Sequence, residues 1–357
     1  MPSGKILILT DGKAGHENQS RAFARALGRE TVIIPVKFKS PLHKALSYLL
    51  DHLGIHTLSL FTPIEAIAPK PETRNLKPET RNQKLETRNH APAYAAVIGT
   101  GSGTFYAAKT LARAAGVKCG VVLYPRGYKI STFDCILAPA FDRPPKAPNV
   151  VEIPANLVAN DDAFYKSGTK AFLERHPSAK DAEAVAVIIG GPNKCSTMTA
   201  DWMRRELEKI FGTYKPETQN SKPETRNQKP ETRNQKPETR NSKLEFWVTT
   251  SRRTPPEVEA VVDSFPFDYK LIYSRDHFNP IPGFVSLAKT LYVTAESTGM
   301  LSEACMFGKA EVRVMDNLNP GPHKFRRFAE SCAAMGAEKF DLSQPIAAAR
   351  ALMGISS

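Results

Sequence analysis

The sequence predicts an α/β protein made of two similar halves, each a parallel sheet wrapped by helices. Three observations lead there. Short apolar runs rich in β-branched residues alternate with amphipathic stretches along most of the chain, the order expected of βαβ units. Several runs end in small glycine- or hydroxyl-rich turns that open a helical pattern: DGKAGHENQ (11–19), GTGSG (99–103), GGPNKCS (190–196) and the STG of 297–299. Such turns mark the carboxyl edge of a parallel sheet, where ligands of this fold class bind. Finally, 357 residues at 41% hydrophobic content suffice for two domains of ordinary size. The alternation restarts between residues 155 and 180, which places one domain at 1–160 and the other at 161–340. A last helix within 341–357 is expected to pack back toward the first domain.

The first element, KILILT (5–10), is an apolar run behind one lysine and predicts a buried strand. The DGKAGHENQ turn leads into a helix over 20–27 that stops at Gly28. Strand, glycine loop and helix in this order form a phosphate-binding turn, with Gly12, Lys13, Gly15 and Gln19 as candidate contacts and His16 and Glu17 at its tip. The turn is neither GxGxxG nor a Walker loop. Its competing reading is a capped turn whose polar residues only face water. Residues 31–36 predict a second strand. The stretch LHKALSYLLDHLGIHTLSLF (42–61) has helical apolar spacing and is expected to pack on the sheet. The alternative is that it rests on a membrane surface, helped by Lys37, Lys39 and Lys44. Strands follow at 95–98, 117–124, 133–137 and 150–153, with a helix at 105–115. In the second half a bridging helix at 162–174 precedes strands at 185–189, 246–250, 269–273, 291–294 and 312–315. Helices are placed at 198–211, 255–265, 283–288, 300–307, 324–335 and 344–353.

Two tracts stand outside this pattern. Residues 70–89 and 215–243 repeat the unit K-P-E-T-R-N-Q, with proline in most copies and no apolar pair to form a helical seam. Such a unit buries nothing. Both tracts are expected to be disordered insertions in surface loops, where added length costs little; a functional basic arm is the alternative. One tract holds six basic and three acidic residues, the other eight and four, so together they supply +7 of the formal net charge of +13. The mild balance elsewhere argues against nucleic acid as a partner. No run of about 18 apolar residues is present, so no transmembrane helix is expected. The amino terminus is too weakly apolar for a signal peptide. Five scattered cysteines without a CxxC pair fit a reducing cytoplasm and argue against a zinc or disulfide framework.

TDGKAGHENQ, GGPN, VTTSRRTPPE, the asparagine–proline pair of FNPIPGF, VTAESTGMLSEA and HKFRRF occur in this order and spacing. Together they resemble the mitochondrial-fission "elongated mitochondria" family, over essentially the whole chain outside the two tracts. The TSRRTPPE block with the downstream SEA helix is the specific part. Two positions depart from the family's pattern. Glu296 precedes Ser297 where the family usually carries aspartate, and Gly308-Lys309-Ala310-Glu311 stands for Gly-Lys-Pro-Val, putting a charge at the head of an expected buried strand. The resemblance implies a GT-B-like architecture, two Rossmann-like domains facing across a cleft. It is similar in that respect to enzymes that add N-acetylglucosamine to lipid-linked precursors. It implies a nucleotide-sugar or nucleoside diphosphate on the second domain and an envelope or lipid-linked acceptor on the first, with the protein at the inner face of a membrane. A protein partner is a further expectation.

In such an enzyme the diphosphate rests on backbone amides and a cation, without metal or cofactor. The resemblance assigns the amides to Ser297, Thr298 and Gly299 at a helix start and to Gly190, Gly191 and Asn193 in the neighbouring turn. Thr250 and Ser251 flank them, and Arg252 or Arg253 pairs with phosphate oxygens. Of two adjacent arginines at a strand end, only one is expected to face the site. Glu303, one helical turn beyond Gly299, would accept the ribose hydroxyls; helix-dipole compensation or a salt bridge is its competing role. His16 is the candidate base for the acceptor hydroxyl, with His323 and Lys324 expected close by. His43, His52, His56, His90 and His277 are read as structural or surface residues. A metal-independent glycosyltransferase therefore competes with a non-catalytic adaptor on the same frame. A nicotinamide-dependent sugar epimerase ranks last, because the chain carries neither GxGxxG nor Tyr-x-x-x-Lys.

Overall fold

A computed structural model describes residues 4–62, 94–214 and 243–355. His90 and both repeat tracts, apart from Lys243, lie outside these residues. The chain divides into two compact units, Met1–Asn160 with Phe340–Ser357, and Asp161–Lys339.

The first unit holds β1 (Lys5–Thr10), β2 (Thr31–Pro35), β3 (Tyr94–Thr100), β4 (Lys118–Val122), β5 (Cys135–Pro139) and β6 (Val150–Ile153). All are parallel, in the order β2-β1-β3-β4-β5-β6. Its helices are α1 (Ala14–Ala26), α2 (Pro41–His52), α3 (Phe105–Ala115) and, from the carboxyl terminus, α10 (Ser343–Met353). A parallel sheet must be covered on both faces, and the alternation along β1 shows how. Leu7 and Leu9 join the core that contains Tyr106 and Leu111 of α3. Ile6 and Ile8 join the opposite core, with Phe23 of α1 and Ala349 and Met353 of α10. Arg350 Nε also donates to the Ala26 carbonyl at 2.6 Å, tying α10 to the end of α1.

Two elements differ from the sequence expectation. Helix α1 begins at Ala14 rather than at residue 20, so Gly15, His16 and Gln19 stand in its first turns and not on a loop. Gly12 takes φ +80°, its amide bonds Thr10 Oγ1 at 3.2 Å, and the helix starts at once. The first two turns are polar, braced by the Glu17–Arg21 pair at 2.9 Å, so the apolar period is silent there.

The stretch 42–61 is helical only to His52, and Gly54 at φ +74° turns the chain away. Leu60 and Phe61 are buried in the core, and Tyr48, Leu50 and Leu58 pack against it, but the other large apolar side chains do not reach it. Leu42, Leu46, Leu49, Leu53 and Ile55 are 80%, 40%, 57%, 63% and 47% exposed. Helix α2 is held by Tyr48 and Leu50 on its inner side and by small and polar residues beside them. Ser47 shares a hydrogen bond with Tyr128 Oη at 2.8 Å. Asp51, fully buried, pairs with Lys109 of α3, itself 3% exposed. The ammonium lies 5.6, 5.2 and 5.2 Å from the ring centroids of Tyr106, Tyr128 and Phe133.

The second unit holds β7 (Glu183–Ile188), β8 (Leu244–Thr249), β9 (Tyr269–Leu271), β10 (Thr290–Thr294) and β11 (Glu311–Met315), parallel in the order β11-β10-β7-β8-β9. Its helices are α4 (Asp162–Arg175), α5 (Ala200–Thr213), α6 (Pro256–Ser264), α7 (Ile281–Leu287), α8 (Thr298–Met306) and α9 (Lys324–Met335). Val185, Val187 and Val248 pack with Met203 and Leu207 of α5 and Val258 and Val262 of α6. Elsewhere in the unit Phe172 of α4 sits 5.1 Å from the Trp247 ring, 4.9 Å from Tyr269 and 5.4 Å from Phe284 of α7. The buried Trp247 indole donates to Glu245 Oε2 at 2.9 Å, and His176 Nε2 meets the same oxygen at 2.7 Å. Burial would raise the Glu245 carboxyl, but these hydrogen bonds outweigh it and hold it below its usual value.

Glu311, the charge at the head of β11, is also accommodated. Arg313 Nε donates to it at 2.9 Å on this edge strand. Among the described residues no helix is long and apolar enough to cross a membrane.

Candidate functional site

In both units the chemistry-bearing residues gather on the turns that follow strands. In the first unit the chain leaves β1 through Asp11 and Gly12 into α1. His16 Nδ1 lies 3.0 Å from both carboxylate oxygens of Asp11. Lys13 Nζ approaches Asp11 Oδ2 at 3.2 Å from the other side. Burial acts to raise the Asp11 carboxyl, but the facing His16 and Lys13 outweigh it and hold the group below its ordinary value. The GTGSG turn after β3 roofs this pair. Gly101 sits at φ +82°, and a Cβ there would overlap the His16 ring; a Cβ on Gly103 would press on Asp11. Ser20 and Thr100 share a buried hydrogen bond of 2.6 Å that fixes α1 against β3. Gln19 is nine-tenths buried and its Oε1 has no hydrogen-bond partner, while Nε2 reaches the Gly15 carbonyl at 3.4 Å. His16 is thus an oriented imidazole with a carboxylate behind it, the arrangement a general base needs.

In the second unit three turns meet. The amides of the GGPN turn are already engaged. Gly190 N donates to Thr294 Oγ1 at 2.9 Å, Gly191 N to Glu296 Oε1 at 2.7 Å and Asn193 N to Ser196 Oγ at 2.9 Å. Gly190, Gly191 and Asn193 therefore brace the edge rather than offer free donors. The side chain of Glu296, longer than the aspartate of the family pattern, is what reaches Gly191. Thr250 is likewise committed. Its hydroxyl donates to Glu259 Oε1 at 2.8 Å and accepts from Tyr273 N at 2.8 Å. Ser251 Oγ donates to the Gly190 carbonyl at 2.7 Å.

What stays open is the start of α8. No side chain caps it, so the amides of Thr298, Gly299 and Met300 lack intrahelical acceptors. Ser297 lies against Gly190, where an added Cβ would come within 3.1 Å of Ser297 Cβ. Arg252 and Arg253 are both exposed, and neither forms an ion pair among the described residues. Both stand on the turn that the chain enters after leaving β8 at Thr249. Glu303 accepts a hydrogen bond from Tyr165 Oη of α4 at 2.8 Å, a partner that helix periodicity does not reveal. His323 caps α9, its Nδ1 accepting from Arg326 N at 3.3 Å.

Sequence reasoning missed Asp11, Thr254 and Asn317. Thr254 Oγ1 accepts from Ser251 N at 2.8 Å and donates to the Gly190 carbonyl at 2.5 Å, locking two turns together. Asn317 follows β11 and is 5% exposed, with both amide atoms unpartnered; Glu296 Oε2 is buried and unpartnered too. Such orphaned groups mark places that a ligand or water satisfies. Among the described residues no group of three or more His, Cys, Asp and Glu side chains is placed to hold a metal ion.

Gly191 makes the closest approach to backbone on this edge, since a Cβ would overlap the Arg253 carbonyl. Gly191→Ala is expected to lower stability by about 1–3 kcal/mol and to displace the arginine turn. Gly212, with open space around its Cβ position, is the control, and thermal unfolding of the two alanine variants reads the difference.

A family model described as Mitochondrial fission ELM1 matches residues 14–220 and 224–345. No curated protein matches the chain significantly. Among solved structures the chain is similar to a UDP-GlcNAc 2-epimerase from Neisseria meningitidis bound to UDP-GlcNAc, at 12% identity over 96% of this chain and 89% of that one, with a TM-score of 0.47. It is similar to an S. aureus MnaA–UDP co-structure at 12% identity over 99% and 91%, with a TM-score of 0.43. A glycosyl transferase family 9 protein from Veillonella parvula follows at 9% identity over 100% and 99%, with a TM-score of 0.36.

Proposed function

The chain belongs to the mitochondrial fission ELM1 family, and on that premise we propose that it binds a nucleoside-diphosphate sugar on its second unit and transfers the sugar to a hydroxyl of an envelope or lipid-linked acceptor. The supporting observation is the uncapped start of α8 beside the braced GGPN turn, with two exposed, unpaired arginines on the adjoining turn. A diphosphate leaving group needs donors and positive charge, and a helix start with guanidinium groups supplies both. The amides of Thr298 and Gly299 hold phosphate oxygens, Arg252 and Arg253 neutralise them, and Glu303 accepts from the ribose. Asn317 offers its unpartnered amide to the same ligand. In the first unit His16, oriented by Asp11, takes the proton of the acceptor hydroxyl. The protein works in a reducing cytoplasm, and no metal or cofactor takes part.

A thermal-shift panel of nucleoside diphosphates and nucleotide-sugars tests this. A ligand at a hundred times its Kd stabilises the fold by about 2.7 kcal/mol. Arg252→Ala/Arg253→Ala is expected to weaken binding roughly 10- to 100-fold, from about 1.5–3 kcal/mol per charge-assisted hydrogen bond. Glu303→Ala should remove the shift, and Tyr165→Phe, which deletes only the intramolecular donor, should preserve it. No stabilisation by any member of the panel would sink the reading.

A second reading, a non-catalytic adaptor, draws on one observation: the amides of Gly190, Gly191 and Asn193 and the hydroxyl of Thr250 are spent within the protein. It predicts a stable protein partner in pull-downs and unchanged function after His16→Ala.

A further inference from the structure

All the large hydrophobic side chains that stand exposed among the described residues lie on one segment, Leu42, Leu46, Leu49, Leu53 and Ile55. The four leucines follow at helical spacing and form one stripe along α2, which Ile55 extends past the Gly54 turn. A contiguous apolar face of this kind on a water-facing helix marks a docking surface.

The charge around the stripe has one sign. Between residues 36 and 62 the exposed charged side chains are Lys37 and Lys39. Lys44 is half-buried and donates to Ser102 Oγ at 2.8 Å. The one carboxylate of that span, Asp51, is buried against Lys109. The neighbouring loop adds the exposed Arg126 and Lys129. It touches α2 directly, since the Gly127 carbonyl accepts from His52 Nε2 at 3.2 Å.

We propose that α2 lays its leucine stripe into the surface of an anionic lipid bilayer, with Lys37, Lys39, Arg126 and Lys129 meeting the lipid phosphates. Apolar contact with a cationic rim and, among the described residues of this span, no exposed acid is the pattern of an interfacial helix. A twelve-residue helix spans about 18 Å, enough to lie in the plane of the interface and too short to cross it. The helix is also ordered before it binds, because Ser47 and Asp51 hold its other side. Binding therefore carries no helix-folding cost, unlike that of a free amphipathic peptide. This inference does not rest on sugar transfer: the stripe and its rim belong to the first unit, the residues assigned to the nucleotide to the second.

The full chain is sedimented with phosphatidylcholine vesicles, with and without phosphatidylglycerol. Binding is expected to the anionic vesicles and to fall as salt rises. Leu46→Gln/Leu49→Gln keeps the formal charge, and with both sites exposed it should leave thermal unfolding and any nucleotide-induced shift unchanged. Its vesicle binding should drop about tenfold or more. Lys37→Gln/Lys39→Gln should cost roughly fivefold per lysine. Equal binding by the leucine variant would assign the attraction to the basic repeats and overturn the proposal. So would absence of binding by the natural chain, or a dimer in analytical ultracentrifugation that the leucine variant dissolves, since a second copy would then occupy the stripe.

Discussion

Asp51→Ala is expected to destabilise the first unit by about 3–5 kcal/mol, the usual cost of leaving one member of a buried ion pair unpartnered. Lys109 is 3% exposed, and burial already pulls its ammonium down to about 8. Without the facing carboxylate it keeps only the rings of Tyr106, Tyr128 and Phe133, a cation–π environment of about 2 kcal/mol when desolvated. The Lys129 amide, which donates to Asp51 Oδ2 at 2.6 Å, loses its acceptor as well. At about 2–4 °C per kcal/mol, Tm falls by roughly 6–20 °C. The sign of the pH dependence is a second check. In the variant the folded state favours neutral Lys109 while the unfolded chain keeps the ordinary lysine value. The unfolded chain then binds more protons, and stability rises as pH climbs toward that value. Asp51→Leu/Lys109→Met should recover most of the loss, because an apolar replacement of similar volume removes the desolvation penalty along with the pair. A single variant that unfolds like the natural chain would mean that the pair carries no weight.

The contrast between α2 and α3 shows what the sequence could reveal. Residues 105–115 read as a helix with the bounds the structure gives, because an apolar face runs unbroken from Phe105 and Gly116 in the left-handed region stops it. The same reasoning assigned the whole apolar face of α2 to the core, where Tyr48 and Leu50 pack but Leu42, Leu46 and Leu49 do not. Periodicity identifies a face but not which face turns inward. Here the deciding contact is Asp51 with Lys109, far away in sequence and invisible to any local window.

The candidate sites divide in the same way. The turns that carry them were legible, since glycine and hydroxyl residues after a branched run have few other uses. Their hydrogen-bond partners were not. Glu296 reaching Gly191, Thr254 locking the 190 turn, and Tyr165 holding Glu303 all span sequence distances over which no pattern speaks. Asp11 was nearer to hand. It stands five residues before His16, and the turn at Gly12 folds it under the ring. A carboxylate just ahead of a helix whose first turn holds a histidine is a signal that composition alone contains.

On the transferase reading, His16→Ala is expected to lower kcat about 10²- to 10⁴-fold, the range for losing a positioned general base, and to leave nucleotide-sugar affinity unchanged. The split follows from the assignment of roles: His16 belongs to the first unit and the groups assigned to the diphosphate to the second. With Nδ1 held by Asp11, the free Nε2 is the atom that takes the acceptor's proton. Asp11 sits below the ordinary carboxylate value, so its stabilising contribution is full above that range and fades only as pH falls through the lowered value. At neutral pH the carboxylate is therefore charged and fixes the ring's tautomer and orientation. Asp11→Asn should reduce kcat by less than His16→Ala. The double variant should be no worse than His16→Ala alone, because residues acting as one unit are not additive. Gly101→Ala supplies an independent arm, since its methyl group takes the space of the His16 ring without touching the imidazole chemistry. It should lower kcat in the same direction and cost stability through its φ of +82°. Full turnover in His16→Ala would move the base elsewhere in the chain. A natural chain that binds nucleotide-sugar, turns over no acceptor and holds a protein partner equally well after His16→Ala would decide for the adaptor.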